Sequence, residues 1–330
     1  MPRVLVTGAT GFLGSHAAVA LQRAGHDVRI LARTPAKVPR ALAPLGGNVA
    51  DVVAGDMTDA DAVARALDGC DAVVHCAAEI GVAGGLGPSS AANVVGSRNV
   101  LGRAVAAGLD PIIYTSTLGI HLPTEDPVLT VDSPLAAPLS TYAAQKLEVE
   151  RMVRSLQAEG APITSFVIGG IYGPVSPHLE GSFTAITAAL EMGMVGPPDA
   201  GMGIIDVRDL AALIVAAMRP GLGPRRYLAT GTYVTWKGWA EVLAEATGKD
   251  VRYAPITAEQ LIEIGRRFDE QRAKGKTMPP LSEEAAVLMC AGRPGDDSRT
   301  LAELGVTYRP LVETFRDTVE WLRASGALGG

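Results

Sequence analysis

The sequence has few cysteines, no cluster of potential metal ligands and no long hydrophobic run. Its three cysteines, Cys70, Cys76 and Cys290, are odd in number and fit no metal-ligand spacing, so we interpret them as reduced, mostly buried thiols. The five histidines also lack a mutual spacing suited to a metal ion. The longest apolar runs, such as residues 210–218, fall far short of the roughly 20 residues that a membrane-spanning helix needs. These absences argue against a metal site and against a membrane protein.

The basic residues do not cluster either. The 29 lysines and arginines are scattered among 35 acidic residues, and the net charge is −6. A nucleic-acid-binding protein would carry a basic stripe. The apolar segment at the start of the sequence is interrupted by glycine at position 8, too early for a signal peptide. We therefore predict a cytoplasmic enzyme that acts on a small molecule, with no nucleic-acid partner and no membrane partner.

Residues 1–170 alternate short β-branched segments with longer alanine-rich segments, which predicts a parallel sheet covered by helices on both faces. The expected fold class is α/β: a Rossmann-type doubly wound parallel sheet with a smaller, discontinuous mixed α/β substrate lobe. Predicted strands cover residues 4–7, 28–32, 49–54, 72–76, 111–115, 163–168 and 226–229, and predicted helices cover residues 12–24, 59–67, 91–107, 141–159 and 209–218. We assign residues 1–172 and 205–248 to the dinucleotide-binding domain and residues 173–204 and 249–330 to the substrate lobe.

A glycine-rich segment follows the first predicted strand and opens the first predicted helix. Gly8 suits a tight turn, Gly11 leaves room for backbone to approach phosphates, and Gly14 allows the helix to pack closely on the strand. Free backbone N–H groups at the start of a helix bind a pyrophosphate. The segment therefore predicts a dinucleotide site formed by Gly8, Thr10, Gly11, Phe12, Leu13 and Gly14.

The end of the second strand predicts which dinucleotide binds. An acid at this point would hold the ribose 2′-hydroxyl, but the sequence has Ala32, followed by Arg33 and, one turn later, by Lys37. Guanidinium groups pair strongly with phosphate. We therefore predict NADP(H) as the cofactor, with NAD(H) as the alternative. Arg33 and Lys37 could instead be ordinary surface cations.

Other strand ends carry further predicted cofactor contacts. Asp56 follows the third strand and could reach the adenine amino group or act as a helix N-cap before Asp59. Asn93 could bond to backbone near the active site or be a routine polar helix residue. Cys76 is interpreted as packing rather than chemistry. The remaining predicted cofactor contacts are Met57, Cys76, Ala77, Ala78, Asn93, Lys146 and Ile168.

Tyr142 and Lys146 are four residues apart in a predicted helix, so both side chains lie on one helical face and can address one ligand together. An ammonium one turn away favours phenolate and should lower the tyrosine pKa, which is about 10 in the free residue. Proton transfer near neutral pH then becomes feasible, and the same ammonium can hold a nicotinamide ribose. The alternative is an amphipathic surface helix capped by Ser140.

These motifs resemble, in the same order, those of the extended short-chain dehydrogenase/reductases, often labelled NAD-dependent epimerase/dehydratases. The resemblance covers roughly residues 1–250 and rests on the glycine segment, Gly55-Asp56, His75-Cys76-Ala77-Ala78, Asn93-Val94-Val95-Gly96, Tyr114-Thr115-Ser116-Thr117, Tyr142 with Lys146, and Ile171-Tyr172-Gly173-Pro174. It implies that Tyr142 is the acid/base, that Lys146 activates it, and that a hydroxyl at the end of the fifth strand is the third partner. Alignment with the family favours Thr117 for that hydroxyl, with Ser116 as the alternative.

Departures from the family pattern narrow the expected reaction. The sugar dehydratases would have acidic residues directly after the hydroxyl, where this chain has Leu118-Gly119, and the epimerases usually have an acid where this chain has Ala32. Residues 203–211 resemble a segment of the dihydroflavonol-reductase-like carbonyl reductases, in which we expect Asp209 to cap the following helix.

We therefore predict an NADP(H)-dependent enzyme that reduces an aldehyde or ketone, or oxidises the matching alcohol. The alternatives are a nucleotide-sugar epimerase with tightly bound NAD(P) and, from another class, a dinucleotide-sensing protein without catalysis. A homodimer that pairs through the helices at 91–107 and 141–159 is the predicted assembly. Glycines in residues 81–87 would let that loop move over a substrate.

Overall fold

The computed structural model describes residues 1–79, 91–179 and 181–329, so the predicted mobile loop at 81–87 lies outside the described residues. Its strands are β1 (Arg3–Thr7), β2 (Asp27–Ala32), β3 (Val52–Ala54), β4 (Ala72–His75), β5 (Ile112–Thr117), β6 (Ile163–Ile168), β7 (Gly170–Tyr172), β8 (Met194–Gly196), β9 (Gly201–Asp206), β10 (Arg225–Ala229), β11 (Thr232–Thr235) and β12 (Tyr253–Pro255). Its helices are α1 (Phe12–Arg23), α2 (Val38–Leu42), α3 (Ala60–Leu67), α4 (Ala92–Ala106), α5 (Thr141–Ala158), α6 (Gly181–Met192), α7 (Val207–Ala216), α8 (Trp236–Thr247), α9 (Ala258–Ala273), α10 (Glu283–Ala291), α11 (Ser298–Leu304) and α12 (Leu311–Ala324). No helix in these ranges is both long and apolar enough to cross a membrane.

Seven parallel strands form the central sheet in the order β10-β6-β5-β4-β1-β2-β3. Their side chains alternate between two cores. Val4 and Val6 of β1 lie in a core with α1 and α7, whereas Leu5 lies in a core with α3, α4 and α5. The strand order reverses between β1 and β4, which is where such sheets bind ligands at their carboxyl ends. The predicted α/β class with a Rossmann-type doubly wound parallel sheet is confirmed.

Local sequence signals determine most element ends, but strand pairing gives β5 and β3 other ends than the sequence predicts. β5 continues to Thr117, beyond the predicted end at 115, because it pairs with β6 along its whole length. β3 is shorter than predicted because it pairs with β2 only over residues 52–54. Ser140 caps α5 through its side chain, and the glycines after α1 and α5, Gly25 and Gly160, have positive φ angles of 90° and 93°.

The helix cap predicted at Asp209 is wrong. α7 begins earlier, and the carboxylate of Asp206 accepts a hydrogen bond of 2.8 Å from the N–H of Arg208. Asp209 lies inside the first turn, where its carboxylate binds the guanidinium of Arg309 at 2.7 Å. The cap moves because β9 ends at Asp206 and leads directly into α7.

The remaining strands form two small sheets, β11-β9-β7 and β12-β8. Beside them an aromatic cluster joins α6, α8 and α12. The rings of Tyr172 and Phe315 are nearly parallel, with centroids 5.4 Å apart, and Trp239 packs edge-on against Phe315 at 5.2 Å. Trp239 thus ties α8 to α12, although the sequence assigns these helices to different domains; that domain division stays a prediction.

Candidate active site

The glycine-rich turn between β1 and α1 has no space for a side chain at Gly8 or Gly14. Gly8 has a φ angle of +80°, and a Cβ atom there would lie 2.7 Å from the backbone nitrogen of Ala77. A Cβ atom on Gly14 would lie 2.1 Å from the carbonyl oxygen of Gly8. Gly11 is the N-cap of α1 and has no side chain with which to bond the first N–H groups of that helix. The turn therefore fits a pyrophosphate held by backbone N–H groups.

The other predicted residues of this segment differ in what they can contact. Thr10 and Leu13 are half-buried. Phe12 is buried, and its ring packs edge-on against Phe183 of α6 with centroids 5.2 Å apart. Phe12 therefore anchors α1, and only its backbone is left for a ligand.

A buried hydrogen-bond network joins the ends of β1 and β4. His75 Nδ1 lies 2.7 Å from the hydroxyl of Thr7, and His75 Nε2 lies 2.9 Å from the hydroxyl of Ser97. The N–H of Ala77 donates to the Thr7 hydroxyl at 3.3 Å. Burial lowers the pKa of His75 to about 3, so its imidazole is neutral. We did not predict this network; the histidine before the Cys76-Ala77-Ala78 motif was its only sequence signal.

Cys76, Ala77 and Ala78 are half-buried and follow β4 directly. Burial raises the pKa of the Cys76 thiol to about 12, although the charge of Lys146 opposes this rise. The thiol therefore stays protonated near neutral pH, which favours packing over chemistry.

Arg33 lies between two carboxylates. Its Nη1 donates to Glu79 Oε1 at 2.8 Å, and its Nε lies 3.8 Å from Asp56 Oδ2. The Arg33 side chain is 66% exposed, so these pairs are open to exchange with a ligand anion. Lys37 lies in a short 3₁₀ turn and is exposed.

Asp56 is not a helix N-cap. Its carboxylate accepts hydrogen bonds from the N–H and the hydroxyl of Thr58, at 2.8 and 2.7 Å, while Asp59 caps α3. Partial burial raises the pKa of Asp56, but the bonds from Thr58 and the charge of Arg33 outweigh it, and the pKa is lowered. Met57 packs against α4, where a Cβ atom on Gly96 would lie 2.4 Å from its Cγ.

Tyr142 and Lys146 lie on one face of α5, as the spacing predicts. Lys146 is buried, and its Nζ donates to the carbonyl oxygen of Thr115 on β5 at 2.8 Å. The same Nζ lies 5.9 Å from the ring centroid of Tyr142 and 5.0 Å from that of Tyr114. Tyr142 is half-buried. The phenol and the ammonium therefore lie together beside the carboxyl end of β5.

Burial dominates the electrostatics of this pair. It lowers the pKa of Lys146 to about 8, against the opposing influence of Cys76 and Glu150. It raises the pKa of Tyr142 above its ordinary value. The prediction that Lys146 lowers the tyrosine pKa is not met in this geometry, because burial of the phenol outweighs the charge of an ammonium that lies 5.9 Å from the ring.

The three hydroxyls of β5 have different partners. Thr115 donates to the carbonyl of His75 at 3.1 Å, and Ser116 donates to a carboxylate oxygen of Glu150 at 2.9 Å; both hydroxyls are buried. Thr117 is half-buried at the strand end, where its hydroxyl oxygen accepts from the N–H of Gly119 at 3.3 Å. Its proton remains available for a substrate oxygen, whereas that of Ser116 is committed to Glu150.

Asn93 joins three elements of the site. Its side chain accepts from the N–H of Glu79 at 2.7 Å and donates to the carbonyl of Glu79 at 2.9 Å and to Gln145 at 2.6 Å. Asn93 therefore connects the segment after β4 to α5, one residue from Lys146. Ile168 is buried at the end of β6, opposite Thr117.

A cavity of about 590 Å³ lies apart from this pair. Residues 197–200 and 255–260, with Cys290 and Arg293, form its described lining. It lies between the segment after β8 and the start of α9, which the sequence assigns to the substrate lobe. Among the described residues, no group of His, Cys, Asp or Glu side chains could hold a metal ion.

Residues 4–229 match the model of the NAD-dependent epimerase/dehydratase family. Among curated proteins, the chain is 29% identical to sterol demethylase protein B of Methylococcus capsulatus, with 98% of this chain and 99% of that protein covered. It is also 26% identical to a putative dihydroflavonol 4-reductase of Synechocystis, with 97% and 94% covered.

Solved structures share the fold. A UDP-glucose-4-epimerase from Stenotrophomonas maltophila, solved with NAD and formylated UDP-arabinopyranose, superposes with a TM-score of 0.77. The alignment covers 99% of both chains, at 22% sequence identity.

Proposed function

Since the chain belongs to the NAD-dependent epimerase/dehydratase family, we propose that it is an NADP(H)-dependent carbonyl reductase or alcohol dehydrogenase. Enzymes of this superfamily carry out oxidoreductase chemistry on small molecules with a nicotinamide dinucleotide. The finer assignment depends on one observation: Tyr142 and Lys146 lie together on α5, where Lys146 contacts Thr115 near the carboxyl end of β5, the strand that ends at Thr117. The similarity to a dihydroflavonol 4-reductase supports carbonyl reduction.

Each side chain has one step in the proposed reaction. Bound NADPH supplies the hydride. Thr117 donates its hydroxyl proton in a hydrogen bond to the substrate carbonyl oxygen, which orients it and stabilises developing negative charge. Tyr142 gives its phenolic proton to that oxygen, and the ammonium of Lys146 stabilises the phenolate that remains. Oxidation of an alcohol uses the same groups in reverse.

The proposed cofactor preference depends on Arg33. A 2′-phosphate would pair with its guanidinium in place of the carboxylate of Glu79, with Lys37 on the neighbouring turn adding charge. NAD(H) is the alternative, since Glu79 and Asp56 already neutralise Arg33.

The first experiment screens the purified protein for NADPH and NADH oxidation with aldehydes, ketones and sugar nucleotides. We expect turnover with a carbonyl substrate, and loss of about a hundredfold or more in Tyr142→Phe, with cofactor binding retained. Tyr253→Phe, on β12, is the matched control and should keep full turnover. Unchanged turnover in Tyr142→Phe would contradict the assignment, and cofactor binding without any turnover would favour a dinucleotide-sensing protein.

A nucleotide-sugar epimerase is the second candidate. The family match itself favours it, because the family is described as epimerases and dehydratases. An epimerase would retain NAD through purification and convert a sugar nucleotide without net oxidation of added NADPH. The same screen separates the two functions.

We also infer a homodimer that pairs through α4 and α5. Val95 is exposed on α4, and Arg98 of α4 lies 3.6 Å from Glu148 of α5 on the outer face of the two helices. These two helices would form a contact surface on the face of the sheet that carries Tyr142.

A further inference from the structure

The face of α5 that carries the proposed catalytic pair continues into the protein core. Tyr142, Lys146, Glu150 and Arg154 follow one another at a spacing of four residues, so their side chains form a single stripe along the helix. Glu150 has no exposed side-chain surface, and Arg154 retains 25%. A carboxylate at full burial is costly unless other groups compensate its charge.

Two groups hold the Glu150 carboxylate in place. Ser116 of β5 donates to Oε2 at 2.9 Å, and Arg154 Nε donates to Oε1 at 3.0 Å. Lys146 donates to the carbonyl of Thr115, the residue before Ser116. Successive positions of β5 therefore hold successive charged groups of α5, which fixes the ammonium and the carboxylate relative to each other.

Few charged groups surround the Lys146 ammonium. From β4 it faces His75, and from the residue after β4 it faces Cys76, but burial keeps the imidazole neutral and the thiol protonated. From β5 it faces the ring of Tyr114, a fully buried phenol whose pKa is raised by burial. From α5 itself it faces Tyr142 and Glu150.

More distant elements add little charge. Arg98 on α4 is exposed and lies beside Glu148 on the outer surface of α5. His121, in the 3₁₀ turn after β5, is buried, and burial lowers its pKa. β6 contains no ionisable side chain, and neither do residues 80–90 in the sequence. Among the described residues, Glu150 is thus the anion that raises the Lys146 pKa near neutral pH.

We propose that Glu150 is a positioning residue for catalysis: its buried carboxylate, held by Ser116 and Arg154, keeps the Lys146 ammonium charged beside Tyr142. This role rests on the proposed function, in which the charge of Lys146 stabilises the phenolate of Tyr142. Lys146 has a pKa of about 8, which burial has lowered and Glu150 raises, so loss of one nearby anion changes its charge within the physiological pH range.

The test titrates Lys146 directly, without substrate. The chain has few lysines, so isotope-labelled lysine gives a small set of NMR signals, and the signal of Lys146 is the one absent from Lys146→Met. In Glu150→Gln the amide keeps the shape but removes the negative charge. We expect the Lys146 pKa to fall by about one unit. Glu148→Gln, an exposed position on the same helix, should leave it unchanged.

A second variant should shift the Lys146 pKa in the opposite direction. Arg154→Gln removes the positive charge that compensates Glu150, so the Lys146 pKa should rise. With a carbonyl substrate, activity falls at alkaline pH when Lys146 loses its proton, and this fall should shift to lower pH in Glu150→Gln and to higher pH in Arg154→Gln.

The two readouts separate the possible failures. If the Lys146 pKa in Glu150→Gln and Arg154→Gln equals that of the wild type, the inference is overturned, whatever happens to activity. If the pKa values shift but no carbonyl is reduced, the coupling stands and the proposed function fails. If Glu150→Gln does not fold, as judged by circular dichroism, the titration of Arg154→Gln decides alone.

Discussion

At the scale of single residues, the recognition of the 2′-phosphate depends on competition for one guanidinium. Arg33 is bound by Glu79 at 2.8 Å, so a phosphate must displace a carboxylate that is already present. Arg33→Ala should weaken NADPH binding about tenfold or more, which corresponds to about 1.4 kcal/mol, while NADH binding changes less. Isothermal titration calorimetry with both nucleotides measures the difference.

Two further variants test this competition: one is a control, and the other should strengthen NADPH binding. Arg40→Ala removes an exposed cation on α2 and should leave the preference unchanged. Glu79→Gln removes the competing charge and should strengthen NADPH binding. Equal affinities for NADPH and NADH in the wild type would contradict the assignment of the cofactor.

The site residues that can be predicted from the sequence are those whose geometry is set by neighbours a few positions away. Tyr142 and Lys146 follow from helical spacing, and Gly8, Gly11 and Gly14 follow from the turn they must form. Glu150 was not predicted, although it lies one further turn along the same helix. Arg154 lies within four residues of it, but its other partner, Ser116, is 34 residues away in sequence, and only the packing of α5 on β5 places the carboxylate beside the catalytic strand.

At the scale of elements, the junction of β1 and α1 is the most constrained part of the site. In Gly14→Ala the added methyl would meet the carbonyl oxygen of Gly8 at 2.1 Å, so the helix and the turn must separate. We expect lower thermal stability and loss of nucleotide binding, because the N–H groups of the turn no longer point to one anion.

The control for this variant is another helical glycine. A methyl group added to Gly102 in α4 would have no described neighbour within 4 Å. Gly102→Ala should raise stability by about 0.5–1 kcal/mol through its effect on backbone entropy, with nucleotide binding unchanged. Thermal unfolding with and without NADPH distinguishes the two variants, and equal behaviour would refute the role given to Gly14.

Local sequence patterns are insufficient to predict where helices and strands begin and end. The sequence contains two aspartates, Asp206 and Asp209, at spacings that suit a helix cap, and the prediction chose the wrong one. The choice depends on where β9 stops pairing, and its partners β7 and β11 lie in distant segments. The extension of β5 to Thr117 has the same origin, since β6 supplies the pairing.

At the scale of the whole molecule, an ion-pair network connects the junction of β9 and α7 to α12. Arg208 binds both carboxylate oxygens of Asp206, at 2.9 and 2.8 Å, and Asp317 of α12 at 2.5 Å. The side chain of Asp206 is only 1% exposed. Burial alone would raise the pKa of Asp206, but the hydrogen bonds and charge of Arg208 lower it.

Arg208→Met should therefore destabilise the fold by about 3–5 kcal/mol, because it leaves a buried carboxylate without its main partner.

This destabilisation should depend on pH. A carboxyl group with a lowered folded-state pKa contributes stability above its ordinary pKa of 3.8, and this contribution is lost as pH falls through the folded-state pKa. The difference from the wild type should thus be large at neutral pH and smaller on acidification. Urea denaturation at neutral pH and at a pH below the ordinary carboxyl value measures it, with Arg316→Met, exposed on α12, as the control. A difference that stays constant with pH would mean that Arg208 acts through packing of its methylene groups rather than through its charge.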